Sequence, residues 1–98
     1  SICPKGWRLP TGGNNGEFKT LYSNYNSSSA LRSNPVNFIL PGYVNNSSRR
    51  NQGSSGNYWS STVYSDSYVY NLDLNTSVVY PARDFSKSNG FSVRCIAR

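Results

Sequence analysis

Tyr58-Trp59-Ser60-Ser61-Thr62 opens the C-terminal part of this chain, and Gly90-Phe91-Ser92-Val93-Arg94-Cys95-Ile96-Ala97 closes it. Each reads as a strand. Between them lie two tracts, Val63 to Tyr70 and Asn75 to Asn89, crowded with Tyr, Ser, Asp and Asn. Strand ends supply a frame, and such a middle supplies contacts: Tyr gives rigid amphipathic area, while Ser, Asn and Asp give adaptable hydrogen bonds. The layout predicts a recognition module. Within it, Tyr68, Tyr70, Leu72 and Leu74 alternate with Val69, Asn71 and Asp73, which predicts a strand with one wet face. Ser77 to Tyr80 predicts a short strand halted by Pro81, followed by a loop over Asp84 to Asn89. Phe91 to Ile96 predicts the closing strand.

Upstream, Cys3 to Thr11 reads as an extended segment leading into a helix, with Pro10 holding Leu9 extended. Phe18, Leu21, Tyr22 and Tyr25 recur at helical spacing and predict a helix over residues 16–25. Thr11, Asn14 or Asn15 would cap it, and Glu17 in the first turn suits the positive end of the dipole. Ala30 to Ser33 reads as one further helical turn, and Val36 to Leu40 as a strand. Asn45 to Asn57 reads as a long polar loop, functional or disordered. Trp7 and Trp59 are expected in the core. The sum is an α+β fold, with one or two short helices packed on a small antiparallel sheet.

A chain of 98 residues fits one domain, spanning 1–98. Its hydrophobic fraction is low at 36% while aromatics reach 14%, so rings must carry much of the core. No apolar run approaches the roughly 20 residues of a membrane span, and no signal-peptide pattern opens the chain. A first residue of Ser predicts a processed chain or a C-terminal piece of something larger. The net charge of +6 serves solubility or an acidic partner. The basic residues are scattered, with only Arg49 and Arg50 adjacent, which argues against nucleic acid. Cys3 and Cys95, without any His, make a poor metal site. A disulfide between them is the simplest account; two buried free thiols are the alternative. Closing so long a loop would stabilise by about 4–5 kcal/mol in the chain-entropy treatment and would imply an oxidising setting.

Catalysis needs a nucleophile, an acid–base group or a metal. The chain has no His, and its acids, Glu17, Asp66, Asp73 and Asp84, show no telling spacing. No Gly-rich phosphate loop follows a strand. The expectation is a protein without enzymatic activity, cofactor or metal, in which Glu17 anchors a helix end.

Cys3-Pro4-Lys5-Gly6-Trp7-Arg8-Leu9-Pro10-Thr11, the Glu17-Phe18 helix, Gly56-Asn57-Tyr58-Trp59-Ser60-Ser61-Thr62 and Gly90 to Cys95 together resemble the Fibrobacter succinogenes major paralogous domain family. The resemblance spans residues 3 to 97 and implies a C-type-lectin-like fold whose first and last strands pair, which suits a Cys3–Cys95 bridge. Formylglycine-generating enzymes share that fold class and an Arg-Leu-Pro-Thr segment, but they are far longer and need reactive cysteines. The Glu-Pro-Asn, Gln-Pro-Asp and Trp-Asn-Asp triplets of calcium-dependent lectins are missing: Asn34-Pro35 lacks a flanking acid, and Ser60 follows Trp59. Calcium is therefore not expected. Domains of this type also serve as variable proteins of diversity-generating retroelements, where Asn codons are rewritten to Tyr, Ser, Asp and others. The composition between residues 58 and 90 has that character.

On this reading the contacts to a protein or cell-surface ligand, a glycan included, fall to Tyr64, Asp66, Tyr68, Asn71, Asp73, Tyr80, Arg83, Asp84, Lys87 and Asn89. Arg49 and Arg50 would extend that surface. The expected setting is extracellular, on a cell surface or phage particle. The alternative is an adhesive domain of a bacterial surface lipoprotein that binds sulfated glycans through its charge.

Overall fold

The computed structural model describes residues 2–98. The chain forms β1 (Trp7–Arg8), α1 (Glu17–Asn24), α2 (Ser28–Leu31), β2 (Tyr43–Asn45), β3 (Ser48–Arg50), β4 (Ser55–Val63), β5 (Tyr68–Asn75), β6 (Val79–Ser86) and β7 (Ile96–Ala97). The fold is α+β. Its central sheet runs in the order β4-β5-β6, and two smaller sheets pair β1 with β7 and β2 with β3. All these ladders are antiparallel. No helix among the described residues is long and apolar enough to cross a membrane.

The ends of the chain close on each other. Trp7 pairs with Ala97 and Arg8 with Ile96, and Cys3 is bonded to Cys95. Next to that seam, the Glu17 carboxylate receives two hydrogen bonds from the Arg8 guanidinium, at 2.6 and 2.7 Å. It also accepts from the Thr11 amide, while Thr11 Oγ1 accepts from the Glu17 amide. Thr11 thus caps α1 across the turn at Asn14 and Asn15, which the Gly16 amide closes on the Gly13 carbonyl; Gly16 holds the N-cap position without any side-chain bond. Arg8 first, then the Thr11 amide, pull the Glu17 pKa down to about 2. Glu17 is the helix-end anchor its position suggests.

The core sits between α1 and α2 on one side and one face of the central sheet on the other. Phe18, Leu31, Phe38, Tyr58, Leu72, Leu74 and Val79 form it, with Leu21, Tyr22 and Tyr25 packed against it. The Tyr58 hydroxyl donates to the Ile39 carbonyl at 2.7 Å, and burial pushes its pKa up.

The Ser60-Ser61-Thr62 run has a structural reason. Between Trp59 and Val63, β4 slips out of register with β5. Ser60 Oγ then donates to the Tyr70 carbonyl at 2.7 Å and accepts from the Thr62 amide, standing in for broken ladder bonds. The Ser61 amide reaches the Pro10 carbonyl, and Thr62 Oγ1 takes the Gly12 amide. Gly12 must be glycine here, because a Cβ would meet Ser60 Oγ at 2.5 Å.

Several segments differ from the sequence expectations. Residues 36–40 are not a strand: Asn37 turns left-handed at φ 57°, and Phe38 hydrogen-bonds back to Leu31. The stretch from Asn45 to Asn57 is no open loop. Asn46 and Ser47 both take positive φ, which makes the tight turn joining β2 to β3, and β4 begins at Ser55. β6 runs through Pro81: Asn71 faces Arg83 and Asp73 faces Tyr80, so Pro81 and Ala82 form a bulge on an edge strand, where a missing N–H costs nothing. The closing segment is laced rather than strand-like: Gly90 bonds to Val44, Ser92 to Asn57 and Trp59, and only Ile96–Ala97 pairs as a strand. Trp7 is 46% exposed instead of buried.

Candidate functional site

Side-chain alternation gives the central sheet two unlike faces. On β4, Gly56 and Tyr58 face the core, so Ser55, Asn57 and Trp59 face the other way. On β5, Leu72 and Leu74 face the core, and Asn71, Asp73 and Asn75 face out. The β2–β3 hairpin and the 89–91 segment stand beside that second face. Gly42, at φ 75°, lets β2 close on the end of β3, because a Cβ there would run into the Arg50 carbonyl, and it also bridges to Gly56 on β4.

The result is a polar basin of about 400 Å³, lined by Tyr43, Asn45, Asn51, Ser55, Asn57, Asp73, Asn75, Tyr80, Arg83, Phe85, Asn89 and Phe91. Its volume lies within the range of small-ligand sites. One charge pair crosses it: Arg83 donates to Asp73 at 2.9 Å. The Arg83 guanidinium also lies 4.1 Å from the Tyr80 ring centre and 5.6 Å from that of Phe85. Asn45 donates to Asn89 at 2.9 Å, so the hairpin and the 86–89 turn are tied across the rim. Below them, Phe91 packs against Trp59 at 4.3 Å, Tyr43 at 5.9 Å and Phe85 at 5.6 Å. This aromatic floor holds the amides above it in place. Chemically, the basin offers amides and phenols that both donate and accept, beside an internally neutralised ion pair.

The residues expected to bind do not all come together. Asp73, Tyr80, Arg83 and Asn89 come together in the basin. Tyr64, Asp66 and Tyr68 form the exposed tip of the β4–β5 hairpin, where the Tyr64 ring meets Tyr70 edge-on at 5.5 Å. Lys87 is exposed, and its amide joins that tip by bonding the Ser67 carbonyl. Asp84, partly buried, lies opposite Tyr70 in the ladder.

Asn71 is a correction. It is 0% exposed, accepts from the Asn57 amide at 3.2 Å and donates to the Arg83 carbonyl at 2.9 Å. It fills the bulge that Pro81 and Ala82 open in the ladder and cannot reach a ligand. Tyr43, Asn45, Asn51 and Asn57 are not among the expected contacts, and Asn75 only opens one of the contact tracts; Asn46-Ser47 lacks the Gly of the usual two-residue hairpin turns, so the β2–β3 turn carries no strong local signal. Among the described residues, no group of three or more His, Cys, Asp or Glu side chains converges as a metal site.

No curated protein and no solved structure matches the chain. A family described as a domain of unknown function, DUF8237, matches residues 19–96, from α1 to β7. That match takes in the basin, the hairpin tip and most of the core, and the chain belongs to this family.

Proposed function

We propose that this domain is a ligand-recognition module of C-type-lectin-like fold, related to the Fibrobacter succinogenes major paralogous domains, that binds a protein or cell-surface ligand without calcium and without chemistry. The observation that carries the reading is the basin. Asp73, Tyr80, Arg83 and Asn89, separated in sequence by strand and turn, line one concavity with Asn45, Asn57 and Asn75. Polar side chains on a rigid sheet, beside an exposed tyrosine-rich hairpin tip, suit a paratope-like surface. The paired terminal segments and the Cys3–Cys95 bond favour an oxidising, extracytoplasmic setting.

The test is a combined variant, Asp73→Ala, Tyr80→Ala, Arg83→Ala and Asn89→Ala, screened against glycan and protein arrays beside the parent domain. Lost binding with retained cooperative melting supports the reading. Unfolding of the variant, or unchanged binding, counts against it. In the retroelement form of this proposal, sequencing the gene across one population finds substitutions confined to Asn-derived codons between Trp59 and Gly90. An invariant tract there leaves a dedicated receptor.

A second reading draws on Arg49 and Arg50, both exposed on β3. It makes the domain an adhesive unit for sulfated glycans. That binding would be lost by about 0.3 M salt, where screening shortens the reach of exposed charges. Affinity that ignores salt favours the basin.

A further inference from the structure

A groove of about 390 Å³, sharing no residue with the basin, opens between α1 and the C-terminal segment. Its walls are Phe18 and Leu21 from one face of α1, Tyr25 at its C-cap, Val36 and Phe38 from the segment after α2, and Ile96. Leu21, Tyr25 and Val36 remain only partly buried although they pack against the core. The groove therefore keeps apolar surface in contact with water, which is favourable to cover.

Two charged side chains also line it, and they differ. Glu17 is committed to Arg8 through two short hydrogen bonds. Arg94 is partly buried, with its guanidinium 4.5 Å from the centre of the Phe38 ring. The ion pairs among the described residues are Arg8–Glu17 and Arg83–Asp73, so Arg94 has no carboxylate partner there. A partly desolvated guanidinium beside an apolar wall matches an anion that carries an apolar body. The net charge of +6 adds a general attraction for anions.

We propose that this groove is a second binding site, which takes an aliphatic carboxylate: the chain lies along α1 and the carboxylate pairs with Arg94. The site stands or falls independently of the recognition surface, since the two share no residue.

The experiment is an NMR titration of the domain with decanoate, decanol and decyltrimethylammonium, each below its micelle concentration. Decanoate should shift the Leu21, Val36 and Ile96 methyl signals saturably, and bind about tenfold or more tighter than decanol, the scale of one charge-assisted contact. Arg94→Gln should bring decanoate down to the decanol level, and Arg94→Lys should restore most of the difference. Val36→Phe, which fills the groove, should abolish binding of all three probes with cooperative melting intact; this variant keeps the test decisive if Arg94→Gln fails to fold. Equal affinity for decanoate and decanol, no effect of Arg94→Gln, or the absence of any saturable shift would overturn the proposal. Binding of N-acetyl-leucine in preference to decanoate would overturn it in favour of a peptide C-terminus. Shifts of the same methyls on concentrating the protein alone would overturn it in favour of a second copy of the chain.

Discussion

The two faces of the central sheet are built from the same three strands and do opposite things. One carries Tyr58, Leu72, Leu74 and Val79, and every one of them is buried against the helices. The other carries Asn57, Asn71, Asp73 and Arg83, which hydrogen-bond to one another. Apolar burial is non-directional, so the first face tolerates exchange of one hydrocarbon for another of similar size. Hydrogen bonds are directional, so the second face depends on particular donors and acceptors. The difference separates a fold-making surface from the one proposed to face a ligand, and it can be tested from both sides.

The largest effect should come from the frame that holds both faces. Replacing Cys3 and Cys95 by Ser removes a cross-link between residues 92 apart in sequence. The chain-entropy treatment puts the loss at about 4–5 kcal/mol, a large part of the roughly 5–15 kcal/mol that stabilises a typical domain. Urea unfolding with and without reductant measures it. Full stability retained after reduction would mean that the β1–β7 seam holds unaided.

Next comes the apolar face. Leu72 is fully buried, and Leu72→Ala should cost about 2–5 kcal/mol through lost transfer energy and the cavity left behind. On the polar face, Asn71→Ala should cost about 1–3 kcal/mol, because it strands the Asn57 amide and the Arg83 carbonyl. Denaturation midpoints at constant slope give both values. If Asn71→Ala costs as much as Leu72→Ala, the polar face is as structural as the apolar one, and the basin loses its claim to be free for binding.

How much of this was legible in the sequence follows from the same physics. Helical spacing of Phe18, Leu21, Tyr22 and Tyr25 marked α1, and alternation of Leu72 and Leu74 marked β5, because apolar periodicity reports burial directly. The Cys3–Cys95 link was legible from count and position. The second face was not, because alternation reads Asn71 as wet, and only the bulge opposite it, at Pro81 and Ala82, turns it into a buried bridge. The basin was half legible: Asp73, Tyr80, Arg83 and Asn89 stood out by composition. Asn45, Asn57 and Asn75 come from elements whose convergence depends on long-range bridges, such as Val44 to Gly90, that leave no local trace.

The smallest effect sharpens the comparison at the boundary between frame and site. Glu17 is held by Arg8 in a pair whose side chains remain 34% and 42% exposed, so water and salt screen much of their attraction. Its pKa nonetheless falls from 4.5 to about 2, with the Arg8 hydrogen bonds as the first cause. Between those two pH values the unfolded chain binds the proton and the folded chain does not, so stability rises with pH across that window. The contribution is complete above about pH 4.5 and disappears as the pH falls to about 2. Glu17→Gln should therefore be less stable than the parent at pH 7, and the two should converge toward pH 2, with 1 M salt shrinking the gap at pH 7. Basin binding measured at pH 7 should be unaffected, because Glu17 belongs to the α1 end of the frame and not to the basin lining. A gap that persists at pH 2 would mean that Glu17 acts by packing rather than charge. A basin that responds to Glu17→Gln would mean that frame and site are energetically one unit, and the division of labour between the two faces would fail.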